Sequence, residues 1–160
     1  MIPPISEPAI QEAGNSFLRA ANASTDAWNV ALDFAGYRTT LNSDKATQGG
    51  RIVRTLYPGH KNGPLKGGDN EWVEITGYEK GIFLDGRIGD DPEMLIIDET
   101  GRPAAEWTNI IFRNERLIYR GGRIKLNHVL FINCSFEFSN VPQMQDLAKS
   151  ILSNPVVSLN

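Results

Sequence analysis

Few residues in this chain could carry chemistry. Its only histidines are His60 and His128, and its only cysteine is Cys134. Neither histidine has a ligand-type partner three or four positions away, so a zinc site is not expected. Cys134 has no companion that would mark it as a nucleophile, and a packing role in the interior is expected instead. Carboxylates gather at Asp85, Asp90, Asp91 and Glu93, then at Asp98 and Glu99. Such a set suits a divalent ion or acid–base work. Equally, Gly89-Asp90-Asp91-Pro92 suits a solvated turn, and no Asp-x-Asp-x-Asp-Gly loop is present. No catalytic residue, metal or cofactor is assigned.

Positive charge is more concentrated. Arg113, Arg116, Arg120, Arg123 and Lys125 supply five of the 16 basic residues within thirteen positions, opposed only by Glu115. Outward residues on a β surface repeat along one side, so Arg116, Arg120 and Arg123 are candidates for an anion-binding strip beside Tyr119 and Gly121-Gly122. Lys61 could join them from Gly59–Gly68, a glycine-rich basic loop that lacks the spacing of a nucleotide-binding P-loop. The ligand would be a nucleotide or sugar phosphate. The competing reading is a solvated face, since edge strands carry charge to block aggregation.

The elements that would position these residues fall into three stretches. Residues 1–36 read as helical. Ser6 is a candidate N-cap with Pro8 in the first turn, and Ser24 or Thr25 opens a second apolar stripe through Ala27, Trp28, Ala31, Leu32 and Ala35. Gly36 is the expected stop; residues 22–25 either break one helix or separate two. Residues 51–139 read as β, because ten of the 15 glycines lie between Gly49 and Gly89 and punctuate short β-rich runs. The expected strands are Arg51–Tyr57, Glu71–Tyr78, Gly81–Asp85 and Met94–Asp98. Residues 142–152 read as a closing helix with Met144, Leu147 and Ile151 on one face, followed by a frayed tail after Pro155.

The most specific signal is an internal repeat. Residues 107–119 and 126–138 align without a gap at an offset of nineteen, matching Phe112 with Phe131, Asn114 with Asn133, Leu117 with Phe136 and Tyr119 with Phe138. Side chains alternate along a strand, so Ile110 and Phe112 share a face, as do Leu117 and Tyr119. The Asn falls between two short strands, where a bend is needed, and Asn tolerates left-handed backbone better than most residues. Coils stacked at the usual strand spacing of about 4.8 Å would ladder Phe112 on Phe131 and Asn114 on Asn133. Two adjacent antiparallel hairpins would also accommodate these residues.

The segment Phe131-Ile132-Asn133-Cys134-Ser135-Phe136, echoed by Phe112-Arg113-Asn114-Glu115-Arg116-Leu117, resembles the Phe-x-Asn-Cys-x-Phe coils of small uncharacterised bacterial proteins, kin to pentapeptide-repeat proteins. The resemblance covers residues 107–138, and the nineteen-residue period departs from multiples of five. It implies a mainly β fold with flanking helices: a short right-handed parallel β-helix, an N-terminal helical region and a C-terminal capping helix. A short solenoid must cover its ends. The closing helix suits one end, while the N-terminal helices could cover a side, the other end, or a second subunit through a stripe bearing Phe17 and Trp28.

Composition bounds the rest. The 160 residues are 41% hydrophobic with a net charge of −3, an ordinary globular balance and a poor polyanion binder, so nucleic acid is not expected. No apolar run exceeds four residues, which gives no transmembrane helix. Met1-Ile2-Pro3-Pro4 lacks the basic and apolar parts of a secretory signal, and a lone cysteine fits a reducing compartment, so the expected location is cytoplasmic. The leading expectation is a non-enzymatic interaction module with a protein partner or self-association; the alternative is a binder of a small anionic ligand.

Overall fold

Ser6 and Ser24 start the two N-terminal helices as capping logic requires: each side-chain oxygen accepts the backbone N–H three residues on, at 3.3 Å. A computed structural model describes residues 6–47, 49–59 and 65–160. Helix α1 spans Glu7–Arg19 and α2 spans Thr25–Thr39, so residues 20–24 separate two helices. Gly36 does not stop α2. It lets the helix press on the β backbone, since a Cβ there would stand 3.1 Å from the Cys134 carbonyl oxygen. The helix ends three residues later by bonding to that backbone. Thr39 O accepts from Asn133 N (3.1 Å), Thr39 Oγ1 accepts from Cys134 N (2.9 Å), and Asn42 Nδ2 donates to Phe131 O (2.8 Å).

Ten strands follow: β1 Arg51–Leu56, β2 Glu71–Thr76, β3 Ile82–Phe83, β4 Arg87–Ile88, β5 Asp91–Leu95, β6 Glu106–Arg113, β7 Arg116–Tyr119, β8 Lys125–Ile132, β9 Ser135–Phe138 and, after α3 (Pro142–Ser153), β10 Val156–Leu159. They form two five-stranded sheets ordered β1-β2-β6-β8-β10 and β5-β4-β3-β7-β9. Within them β1, β2, β6 and β8 run parallel, as do β3, β7 and β9. The chain is a β-solenoid of about 4 turns with helices at its N- and C-terminal parts. Parallel pairing of β6 with β8 rules out the two-hairpin reading. Phe112 pairs with Phe131, with ring centroids 5.6 Å apart and planes 11° apart, and Tyr119 pairs with Phe138.

Two expectations about the β region are also corrected. The turn read at Gly89–Pro92 is shortened, because β5 begins at Asp91 and lies antiparallel to β4. The tail after Pro155 is not frayed. It reverses direction and pairs antiparallel with β8, burying Val157 opposite Val129. That pairing satisfies backbone groups that β8 would otherwise leave open.

The core is continuous from the helices into the coil. It joins Ile10, Trp28, Leu32 and the α3 face of Met144, Leu147 and Ile151 to Trp107, Phe112, Phe131 and Phe136. Trp28 is 3% exposed and its Nε1 donates to Phe138 O at 2.6 Å. It is therefore not part of an outer stripe, and Phe17 stacks on Phe34 with centroids 5.8 Å apart. Helices α1, α2 and α3 pack together with β9 and β10, all at the C-terminal end of the coil stack. Among the described residues no helix is long and apolar enough to cross a membrane.

Candidate functional site

Each coil turns at a residue with left-handed backbone. Asn114 (φ 56°) and Asn133 (φ 51°) occupy this corner, and Asn133 Nδ2 donates to Asn114 Oδ1 at 2.8 Å. Thr76 pairs with Arg113, so Gly77 (φ 88°) is the preceding rung of the same corner. A second bend line lies inside the longer strands, at Asn109 (φ 54°) and His128 (φ 62°). His128 Nδ1 is 3.2 Å from Asn109 Oδ1, and its ring stacks on Trp72 at 5.3 Å. The two share the nineteen-residue offset of the repeat, a signal present in the sequence and passed over there. His128 thus serves the coil geometry. His60 and Lys61 lie outside the described residues.

Just inside the Asn corner sit the next residues of the repeat, Glu115 and Cys134. Cys134 is buried, its Sγ donating to Phe112 O at 3.1 Å, and burial pushes the thiol up to about 12. Burial thus holds the thiol protonated at neutral pH, which disfavours the thiolate a nucleophile needs. Glu115 is 2% exposed; its Oε1 accepts from Tyr78 N at 2.8 Å, and Oε2 is buried with no hydrogen-bond partner. Burial raises this carboxyl to about 7, opposed by the Tyr78 N–H bond. Sequence reasoning missed Glu115, which reads there as one acid among surface bases.

The candidate arginines do not converge. Arg116 reaches Lys80 O (3.3 Å) and Glu137 (3.4 Å) beside a corner cleft of about 530 Å³. Arg120 lies over the Phe83 ring at 5.5 Å and lines a separate cleft with Asp33 and Glu137. Arg123 lines a third cleft, of about 550 Å³, with Arg102 and Lys125. Arg113 is held by Asp44 and, at 2.7 Å, by Glu74. The acids disperse as well. Asp98 closes its own turn, with the Thr100 hydroxyl bond and then the Arg102 backbone bond holding its carboxyl below the usual range. Among the described residues, no group of three or more His, Cys, Asp or Glu is placed to hold a metal ion.

The two ends of the coil stack differ. At the C-terminal end, β10 closes one sheet and α2 packs on β9, the last strand of the other. At the opposite end the edges are β1 and β5. Only one of six residues in β1, Leu56, is buried, whereas β6 and β8 bury five of eight each. Large apolar side chains stand exposed there: Ile52 (40%) and Val53 (39%) on β1, Met94 (46%) on β5 and Ile97 (47%) just beyond it. The charge on this end is divided. β1 carries Arg51 and Arg54 and no acid, while β5 carries Asp91 and Glu93 and no base. A shape-matched partner could therefore meet apolar, basic and acidic ground in one contact.

Comparison with known proteins adds no assignment to this geometry: no family model, no curated protein and no solved structure matches the chain.

Proposed function

We propose that this chain is a non-enzymatic β-solenoid interaction module that docks a protein through the end formed by β1 and β5. The observation that carries the reading is the contrast between sheet edges. α2 and β10 cover the last strands at one end, while β1 and β5 are outermost at the other beside exposed Ile52, Val53, Met94 and Ile97. Phe17, Tyr37 and Leu41 are comparably exposed on the helical side but flank no open strand edge. Edge strands offer backbone N–H and C=O groups for pairing, and exposed apolar patches mark contact sites. The resemblance to the Phe-x-Asn-Cys-x-Phe coils of small bacterial proteins, carried by residues 107–138, is in keeping with such a role. A buried lone thiol suits a reducing, cytoplasmic setting.

A photo-crosslinking residue placed in cells at position 53 tests this, with position 41 as control, because Leu41 is 42% exposed beside the covered end. Discrete adducts from position 53 and none from 41 support the reading; no adduct from 53 overturns it.

A second reading, the anionic-ligand binder, is favoured by the cleft where Arg102, Arg123 and Lys125 meet. Three cations line this concave site and suit a phosphate group, which would compete there with Asp98 and with Glu106, 3.9 Å from Lys125. A nucleotide or sugar phosphate should then raise the melting temperature, and Arg102→Ala with Arg123→Ala should abolish the shift. No shift with any ligand tried removes this reading.

A further inference from the structure

We propose that the partner at the β1–β5 end is a second copy of this chain, joined by a two-fold relation that lays β1 of one copy against β5 of the other. This rests on the interaction-module reading above and supplies its partner. The end is self-complementary in charge. β1 carries Arg51 and Arg54 and no acid, Arg51 lying 3.6 Å from Glu71 of β2 while remaining 79% exposed; β5 carries Asp91 and Glu93 and no base, with Asp90 immediately before it. Stacking like edges would oppose arginine to arginine and carboxylate to carboxylate. Crossing them opposes each basic edge to an acidic one, twice over, because a two-fold interface repeats every contact.

The apolar side chains match the same arrangement. Ile52 and Val53 of one copy meet Met94 and Ile97 of the other, so side chains exposed by 39 to 47% leave water together. Both strands are outermost in their sheets, so each can accept a further strand without displacing another. Assembly also stops at two. The interface is isologous, and the opposite end of each copy is already covered by α2, α3 and β10.

Sedimentation velocity and light scattering on the full chain test this at about 50 μM, a concentration that reveals micromolar association. A dimer is expected, losing affinity as salt rises. Val53→Lys should give a monomer that still unfolds cooperatively, with a melting temperature that no longer rises with protein concentration as the wild type's does. Arg51→Glu with Arg54→Glu, and separately Asp91→Lys with Glu93→Lys, should each give monomers. An equimolar mixture of the two should recover a heterodimer, because each altered edge then faces its complement. If the Arg pair fails to fold, the Asp91→Lys, Glu93→Lys chain and Val53→Lys still decide the matter. A wild-type monomer, dimers that ignore all these changes, or monomeric variants that fail to combine would each overturn the pairing.

The outcome separates from that of the broader reading. Position-53 adducts of non-self mass with a monomer in solution overturn self-pairing alone. No adducts together with a monomer overturn both.

Discussion

The covered and open ends of this solenoid are built from the same repeat yet solve the edge problem in opposite ways. At the covered end backbone groups of the last coil find partners outside the coil: Thr39 meets Asn133 and Cys134, Asn42 meets Phe131, Trp28 meets Phe138, and β10 pairs along β8. At the open end the outermost strand keeps one residue of six inside. Stability is therefore concentrated where the helices sit, and the other edge is free to serve contact. A residue's worth in this fold depends on which end it faces more than on its type.

The sharpest test of that contrast removes a covered-end anchor. Trp28→Ala should cost about 3–5 kcal/mol in denaturant unfolding, because a buried indole and its bond to Phe138 O are both lost. A cost below about 1 kcal/mol would show that the helices lean on the coil without holding it.

Glu115 probes the coil between the two ends. Its folded carboxyl titrates at about 7 against an ordinary 4.5, so the folded state holds the proton more tightly than the unfolded one. The resulting stabilisation is complete below the unfolded value and is lost as pH rises through about 7. The difference amounts to roughly 3 kcal/mol between those limits. Glu115→Gln, which cannot ionise, should flatten the melting temperature across this window. A wild-type curve already flat there would mean that the carboxyl finds solvent.

Smaller still is the corner. Asn133→Ala should cost about 1–2 kcal/mol, since alanine is strained at positive φ and the bond to Asn114 is lost. Asn133→Gly keeps the backbone at ease and should cost about half as much. Equal costs would assign the effect to the side-chain bond alone. Least of all, Val53→Ser at the open end should change stability by no more than about 0.5 kcal/mol. A larger loss would erase the contrast between the ends.

Legibility in the sequence follows from where the period survives. Phe112 with Phe131 and Asn114 with Asn133 could be read because two adjoining coils repeat without interruption. The preceding coil is in register through Thr76 and Arg113, 37 residues apart, because the β4–β5 excursion is inserted between them. Its corner residue is also Gly77 in place of Asn, so neither spacing nor identity marks it. β10 was hidden because Pro155 and four short residues look like a tail until β8 supplies the pairing. Gly36 misled for a related reason: a stop and a close contact both call for a missing side chain, and only the neighbouring carbonyl separates them. The candidate arginines share a stretch of chain, but coil winding sends Arg116, Arg120 and Arg123 to three clefts. Linear proximity says little about convergence in a solenoid, where neighbours in space are about one period apart.

The reversed polarity of β10 has a consequence for how this molecule could vary in length. A parallel edge is a template that any further coil of the same kind could copy, so a stack ending in one has no intrinsic size. By closing with an antiparallel strand, the chain writes a terminator into its hydrogen-bond pattern, and no additional coil can be appended beyond β8 without evicting it. Growth by duplication is thereby channelled inward. A copied nineteen-residue unit inserted between β7 and β8 would slot into the stack with both its neighbours and the terminator intact.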